Sequence, residues 1–338
     1  MDIFNTAVLA HVVAALNNPA LFFLNKFFKK EQRSDKEEIV FEVEKGRRRM
    51  APFVSPLMAG KVVPGNGRTT NSLKPAYVKD KRQFDGNAPL KRTIGEKIGG
   101  DVTAAERVQI NLRTELEDQV KCVARRFEWM AVQALLYGKY VIVGENYPQT
   151  LIDFQRDPAL RVVKAAGTKW SDAGAKPLDD LQAWALLSLQ KSGVYPDQVV
   201  LDPATWLVFR ETAQVEKRWN SLNRITDLKP AAAGEGARHM GSVDGFDIWT
   251  YADWYVDPAD DTEKPMLPSG SVVMASENGV EGYRAFGAIR DEEAGYQPLP
   301  YFSKSWIEKD PAVRWLLLQS APLMVPYRIN GSLSAQVL

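Results

Sequence analysis

The chain has 338 residues, 45% of them apolar and 25% charged, the balance of a folded soluble protein with room for one large or two ordinary domains. Its formal net charge is +1, so no global charge directs it to nucleic acid or to a membrane surface. A single cysteine, Cys122, excludes an intrachain disulfide and a multi-cysteine metal site, and two histidines, His11 and His239, are a poor supply for acid–base or zinc chemistry.

The first residues are apolar but are not read as an export signal. Asp2 stands where a basic region is needed, and Asn17-Asn18-Pro19 interrupts the run without a small-residue cleavage site. No uninterrupted apolar run approaches the ~20 residues that cross a bilayer, so a soluble protein made in a cytoplasm is expected. Leu9, Val12, Val13 and Leu16 recur at helical spacing and predict a short amphipathic helix over residues 3–16. After Pro19, six large apolar residues crowd into eight positions: Leu21, Phe22, Phe23, Leu24, Phe27 and Phe28. A charged run to Glu38 follows at once. Such a segment cannot form a core alone; it packs under its own domain or is an arm laid across a neighbour.

Ile39 to Val43 reads as a strand and is followed by the basic cluster Arg47-Arg48-Arg49. Between Lys45 and Lys97 stand thirteen Lys or Arg against three Asp or Glu, so the rest of the chain carries the compensating negative charge. That division suits a basic surface meeting an acidic one, on another subunit or on a polyanion, or else a solvated loop. Pro64-Gly65-Asn66-Gly67 is a turn signal between Lys61-Val62-Val63 and Thr69-Thr70, and Ala76 to Lys79 is a candidate returning strand. The stretch predicts a long projecting hairpin that needs something to lie on.

Thr103-Ala104-Ala105-Glu106 is a capping box. From there Val108, Leu112, Leu116, Val120, Val123, Phe127, Met130 and Leu135 recur every three to five residues, and no glycine intervenes until Gly138. A helix of this length makes a rod of about 50 Å, roughly three times the usual helix. Arg113, Glu117, Lys121 and Arg125 on the other face make it one-sided, and Cys122 is expected to be a buried structural thiol. Further on, residues 140–143, 198–201, 247–251, 271–275, 282–286 and 313–319 read as strands, with helices over 177–192 and about 205–212. The chain is therefore α+β, with Asp153 to Gln297 as one module inserted between the long helix and a C-terminal strand region.

Catalytic arrangements are weak. Gly65-Asn66-Gly67-Arg68 lacks the strand, helix and Gly-Lys-Ser/Thr ending of a phosphate loop. Asp257, Asp260, Asp261 and Glu263 form an acidic loop without the alternation and central glycine of a calcium site. Asp202-Pro203 and Asp310-Pro311 are turn and helix-start signals.

Five segments are familiar together. Phe53-Val54-Ser55-Pro56-Leu57-Met58-Ala59-Gly60 resembles the base of the extended loop in lambda-type phage major capsid proteins, and residues 138–145 resemble the segment after their long helix. Gly167 to Ser171, Leu201 to Trp206 and Gln319 to Met324 continue the same order. The resemblance implies the Hong Kong 97-like capsid fold: an N-terminal arm over 1–38, an extended β-hairpin loop over 39–97, and a peripheral domain over 98–150 and 301–338 with its spine helix at 103–137. The axial domain would be 151–300.

It also implies function. Copies would assemble as hexamers and pentamers of an icosahedral head in the host bacterial cytoplasm, enclosing double-stranded DNA without sequence-specific binding. Decoration, scaffold and portal proteins would be the partners, with no enzyme activity, cofactor, metal or membrane. Arg47, Arg48, Arg49, Lys61, Arg68 and Lys74 are the candidates for inter-subunit ion pairs, and Phe22, Phe23, Phe27 and Phe28 for apolar contacts of the arm with a neighbour. Three other readings stand beside this one: an encapsulin-type nanocompartment shell, a soluble metal-dependent enzyme using the 257–263 loop, and a nucleic-acid-binding module using residues 45–97.

Overall fold

The computed structural model describes residues 3–16, 19–36, 38–44, 50–59, 62, 68–84, 103–144, 147–221, 231–232, 236–310 and 312–338. In chain order these begin with helices α1 (Thr6–Ala15) and α2 (Phe22–Phe27), then strands β1 (Lys30–Arg33), β2 (Ile39–Glu44), β3 (Arg68–Leu73) and β4 (Val78–Phe84). The long helix α3 (Ala104–Tyr137) leads into the hairpin β5 (Lys139–Gly144) and β6 (Tyr147–Asp153), then β7 (Arg161–Val163) and α4 (Pro177–Ser192). Next come β8 (Gln198–Leu201), α5 (Pro203–Glu211), α6 (Ala213–Ser221), β9 (Ala231–Ala232), β10 (Ala237–Val243) and β11 (Phe246–Tyr251). The remaining strands are β12 (Trp254–Asp257), β13 (Thr262–Pro265), β14 (Ser271–Ala275), β15 (Tyr283–Phe286), β16 (Phe302–Lys309), β17 (Ala312–Ser320), β18 (Pro322–Val325) and β19 (Ser332–Gln336).

The ends of α3 fall where its sequence puts them. Thr103 accepts from the Glu106 amide while the Glu106 carboxylate accepts from the Thr103 amide at 2.7 Å, and Gly138 closes the helix with φ +70°. Leu116, Val120, Val123, Ala124, Phe127 and Ala131 are buried along one stripe. Cys122 is exposed, which corrects the expectation of a buried thiol: at 100° per residue it falls outside the stripe that Val120, Val123 and Phe127 define.

Strands β16, β17 and β4 form one sheet beside the N-terminal half of α3. The predicted returning strand is thus real but belongs elsewhere. Val78 to Phe84 runs antiparallel to β17, pairing Ser320 with Val78 and Arg314 with Phe84, not to the strand before it. Gln119 fixes it to the helix by donating to the Asp80 carbonyl at 3.0 Å, and the Arg82 guanidinium reaches Asp80, Glu115 and Asp118. Strand β2 pairs instead with β3, Ile39 opposite Leu73 and Glu44 opposite Arg68. The predicted turn at 64–67 lies outside the described residues.

The largest sheet has the order β7-β19-β14-β8-β11-β10-β9. Its central strands β8 and β14 are wholly buried. Alternate residues serve two cores: Val199, Leu201, Val272 and Met274 face Leu181, Trp184 and Phe209 of α4 and α5 on one side. Val200, Val273 and Ala275 face the core shared with α3 and the N-terminal segment on the other. The sheet is a wall between two cores, which is why its middle strands read as unbroken apolar runs.

Residues 332–336 form β19 inside this sheet, between β7 and β14. Residues 283–286 lie in a separate sheet, between β1 and β18.

Candidate assembly surfaces

The apolar N-terminal run folds back on its own chain. Phe22, Phe23, Phe27 and Phe28 are 2%, 0%, 1% and 0% exposed. Phe22 stacks on Tyr251 with centroids 5.9 Å apart and meets Trp249 at 5.3 Å, and Phe23 meets Tyr251 edge-on at 5.1 Å. These four residues are therefore core residues in the single chain. Covering them locally removes about 600 Å² or more of aromatic surface from water without waiting for a neighbour.

Polar contacts then hold the segment. Glu128, buried on the α3 stripe, accepts from the Phe23 amide at 2.8 Å and the Leu24 amide at 3.0 Å, and lies 3.2 Å from the Tyr251 hydroxyl. Burial pushes its carboxyl up to about 7. Arg284 donates to the Phe28 carbonyl and to Asn25 Oδ1, both at 2.8 Å. Lys26 lies 4.0 Å over the Trp249 ring and 3.0 Å from Glu277, which Lys29 also meets at 2.8 Å. Beyond Phe28 the chain becomes β1, hydrogen-bonded parallel to β15. Residues 21–33 are woven into the body of the chain.

A different apolar set is uncovered. Phe53 and Leu57 are 102% and 96% exposed, Met50 and Val62 are 88% exposed, and Val54 and Met58 are exposed as well. Phe53, Val54, Leu57 and Met58 sit in the segment singled out above, where the Met58 amide bonds the Ser55 carbonyl at 2.9 Å. Of the candidate basic residues, Arg47, Arg48, Arg49 and Lys61 lie outside the described residues. Arg68 is placed in β3, opposite Glu44. Lys74 is exposed beyond β3, and its carbonyl accepts from the Tyr147 hydroxyl at 3.2 Å.

Sequence reasoning missed two groups. Arg156, 9% exposed, donates to the Leu135 and Leu136 carbonyls at 2.6 and 2.8 Å and to Ser334 Oγ at 2.9 Å, closing the last turn of α3 onto β19. Burial without a carboxylate partner pulls it down to about 10. Nothing local marks Arg156. Glu128 was readable, since it stands four residues after Ala124 and three before Ala131 on the apolar stripe.

Lys264 Nζ sits 2.7 Å from Asp257 and 2.8 Å from Asp260, so an ammonium occupies the place a cation would take in the acidic loop. Among the described residues no three His, Cys, Asp or Glu converge as metal ligands, and no described helix is long and apolar enough to cross a membrane. His239 packs on Trp249 at 4.6 Å. Asp202 caps α5 and also accepts from the Ser271 amide, the helix-start role its sequence predicts.

A one-sided 34-residue helix, a β2–β3 ribbon with an uncovered apolar segment and a separate α/β layer together define a shell subunit of the Hong Kong 97-like fold. The chain belongs to the family described as phage major capsid protein E, whose model matches residues 5–337. It is 28% identical over 313 residues to the major capsid protein of Escherichia phage lambda, covering 90% of each chain. It is 28% identical over 337 residues to that of Escherichia phage N15, covering 96% of each. The crystal structure of a prophage capsid protein from E. coli CFT073 superposes with a TM-score of 0.77 at 23% identity, covering 99% of both chains. The capsid of Ralstonia phage GP4 shares the fold at a TM-score of 0.53 and 11% identity, covering 95% of this chain and 92% of that one. The role of the chain is structural, in a phage capsid.

Proposed function

We propose that copies of this chain close into an icosahedral head as hexamers and pentamers around double-stranded DNA, assembled in the host cytoplasm. The uncovered segment of Met50, Phe53, Val54, Leu57, Met58 and Val62 carries this reading, because a single chain leaves it in water and a neighbouring subunit would cover it. The 39–77 ribbon would lie across that neighbour. Arg47, Arg48, Arg49, Lys61, Arg68 and Lys74 would pair with its acidic groups, bidentate arginine contacts counting most. The axial module, 151–300, would meet its copies around five- and six-fold axes. Decoration, scaffold and portal proteins are the further partners of this reading, and catalysis has no part in it.

Electron microscopy and sedimentation of the purified chain, alone and with a scaffold protein encoded beside it, test the proposal. Closed particles, or discrete hexamers and pentamers, are expected. A monodisperse monomer under both conditions overturns it.

A further inference from the structure

Glu128 has an unusual setting. It is fully buried, no cation among the described residues bonds to it, and it joins three separate pieces of the chain: α3, the N-terminal segment and β11. The Tyr251 hydroxyl lies 3.2 Å from Glu128 Oε1 and 3.3 Å from Asp253 Oδ2, between two carboxyl groups. Tyr251 brings one proton, which can serve only one of those two contacts. A second proton on Glu128 satisfies both: Glu128 donates to Tyr251 Oη, and Tyr251 donates to Asp253.

We propose that Glu128 carries a proton in the folded chain, and that its loss, relayed through Tyr251 to Asp253, loosens the N-terminal segment Leu21–Phe28 from the long helix.

The relay balances. The Glu128 proton passes to Tyr251 Oη, the Tyr251 proton passes to Asp253 Oδ2, and half-buried Asp253 gives it to water. Two negative carboxylates then flank one hydroxyl inside the core, directly beneath the amides of Phe23 and Leu24. The charged and titratable groups around Glu128 are few. From β11 and the loop after it come Tyr251 and Asp253, and the charge of Asp253 opposes ionisation. From β15 comes Arg284, which favours ionisation at longer range but spends its hydrogen bonds on Phe28 and Asn25. From α2 comes Lys26, which is turned to Trp249 and Glu277. None of them donates a compensating bond to the ionised carboxylate beyond those already made.

The sign follows from linkage. A carboxyl held at about 7 in the closed segment and at its ordinary value of about 4.5 when the segment opens binds a proton more tightly when closed. Closure is therefore strongest below the ordinary value and weakens as pH rises to neutrality.

Hydrogen exchange of the Phe23 and Leu24 amides in the full, unassembled chain reads this, once the intrinsic pH dependence of exchange is divided out. Protection is expected to fall by about tenfold per pH unit between about pH 4.5 and about pH 7 and then to level off. Glu128→Gln, which keeps the shape and has no proton to lose, is expected to give a flat profile. Asp253→Asn, at a half-buried position, is expected to level off at a lower pH with a smaller total loss. It decides the matter if Glu128→Gln does not fold. A flat profile in the unaltered chain, an unchanged profile in Glu128→Gln, or a plateau unmoved in Asp253→Asn each overturns the proposal.

Discussion

Arg156 lies directly over Gly138. A methyl group built on Gly138 would stand 2.8 Å from the Arg156 Cβ, while the arginine head binds the Leu135 and Leu136 carbonyls in the last turn of the long helix. The helix ends left-handed at φ +70° so that the chain can turn into β5 beneath this side chain. One glycine and one arginine thus fix the junction between the rod and the seven-stranded sheet.

Gly138→Ala therefore meets both a backbone penalty and a contact with the part of Arg156 that cannot swing away. A loss of about 1–3 kcal/mol is expected, read as a lower urea midpoint with an unchanged slope. Arg156→Met leaves two helix carbonyls and Ser334 without their donor and is expected to cost about 1–3 kcal/mol in the same measurement.

Phe22→Ala and Phe23→Ala separate the chain's own core from its contacts with other copies. Both side chains are buried in the single chain, so each substitution is expected to destabilise the unassembled protein by about 3–5 kcal/mol. Thermal unfolding of chains kept below the assembly concentration checks this. An unchanged midpoint would return these residues to an interface.

Phe53→Asp and Leu57→Asp should behave in the opposite way. Neither side chain touches its own core, so the stability of the unassembled chain is expected to stay within about 0.5 kcal/mol. Particle formation, followed by sedimentation, is expected to be lost.

The acidic loop yields a titration. Lys264 holds the Asp260 carboxyl down at about 2, chiefly by its hydrogen bond, and lowers Asp257 as well. Because the folded values lie below the unfolded ones, this pairing supports the hairpin above the ordinary carboxylate range and is lost as pH falls through the folded value. Lys264→Met is expected to return both carboxyls toward ordinary values in a side-chain NMR titration. Added calcium or magnesium is expected to leave the melting temperature of the unaltered chain where it was.

Much of this was legible in the sequence, and the rest was not for definite reasons. The long helix announces itself because its cap, stripe and stop are all local signals, and α4 and α5 show theirs in the same way. Pairing is not local. Nothing in Val78 to Phe84 says that it will join β17, and nothing in Ser332 to Gln336 says that it will lie between β7 and β14. Burial is ambiguous for a different reason: the Phe22–Phe28 run demands cover, but composition cannot say whose surface supplies it. The Phe53–Met58 segment, apolar but broken by Pro52 and Pro56, was recognised by resemblance, and its exposure appears only in three dimensions.

Strand β19 has a consequence for the timing of synthesis. Translation runs from the amino end, so β7, β14 and β8 all leave the ribosome before the strand that ties β7 to the others. Until residues 332–336 emerge, β7 has no partner in the sheet, and the core under α4 lacks Leu333 and Ala335. A chain that stops short of residue 332 therefore lacks the strand that joins β7 to the rest of the sheet.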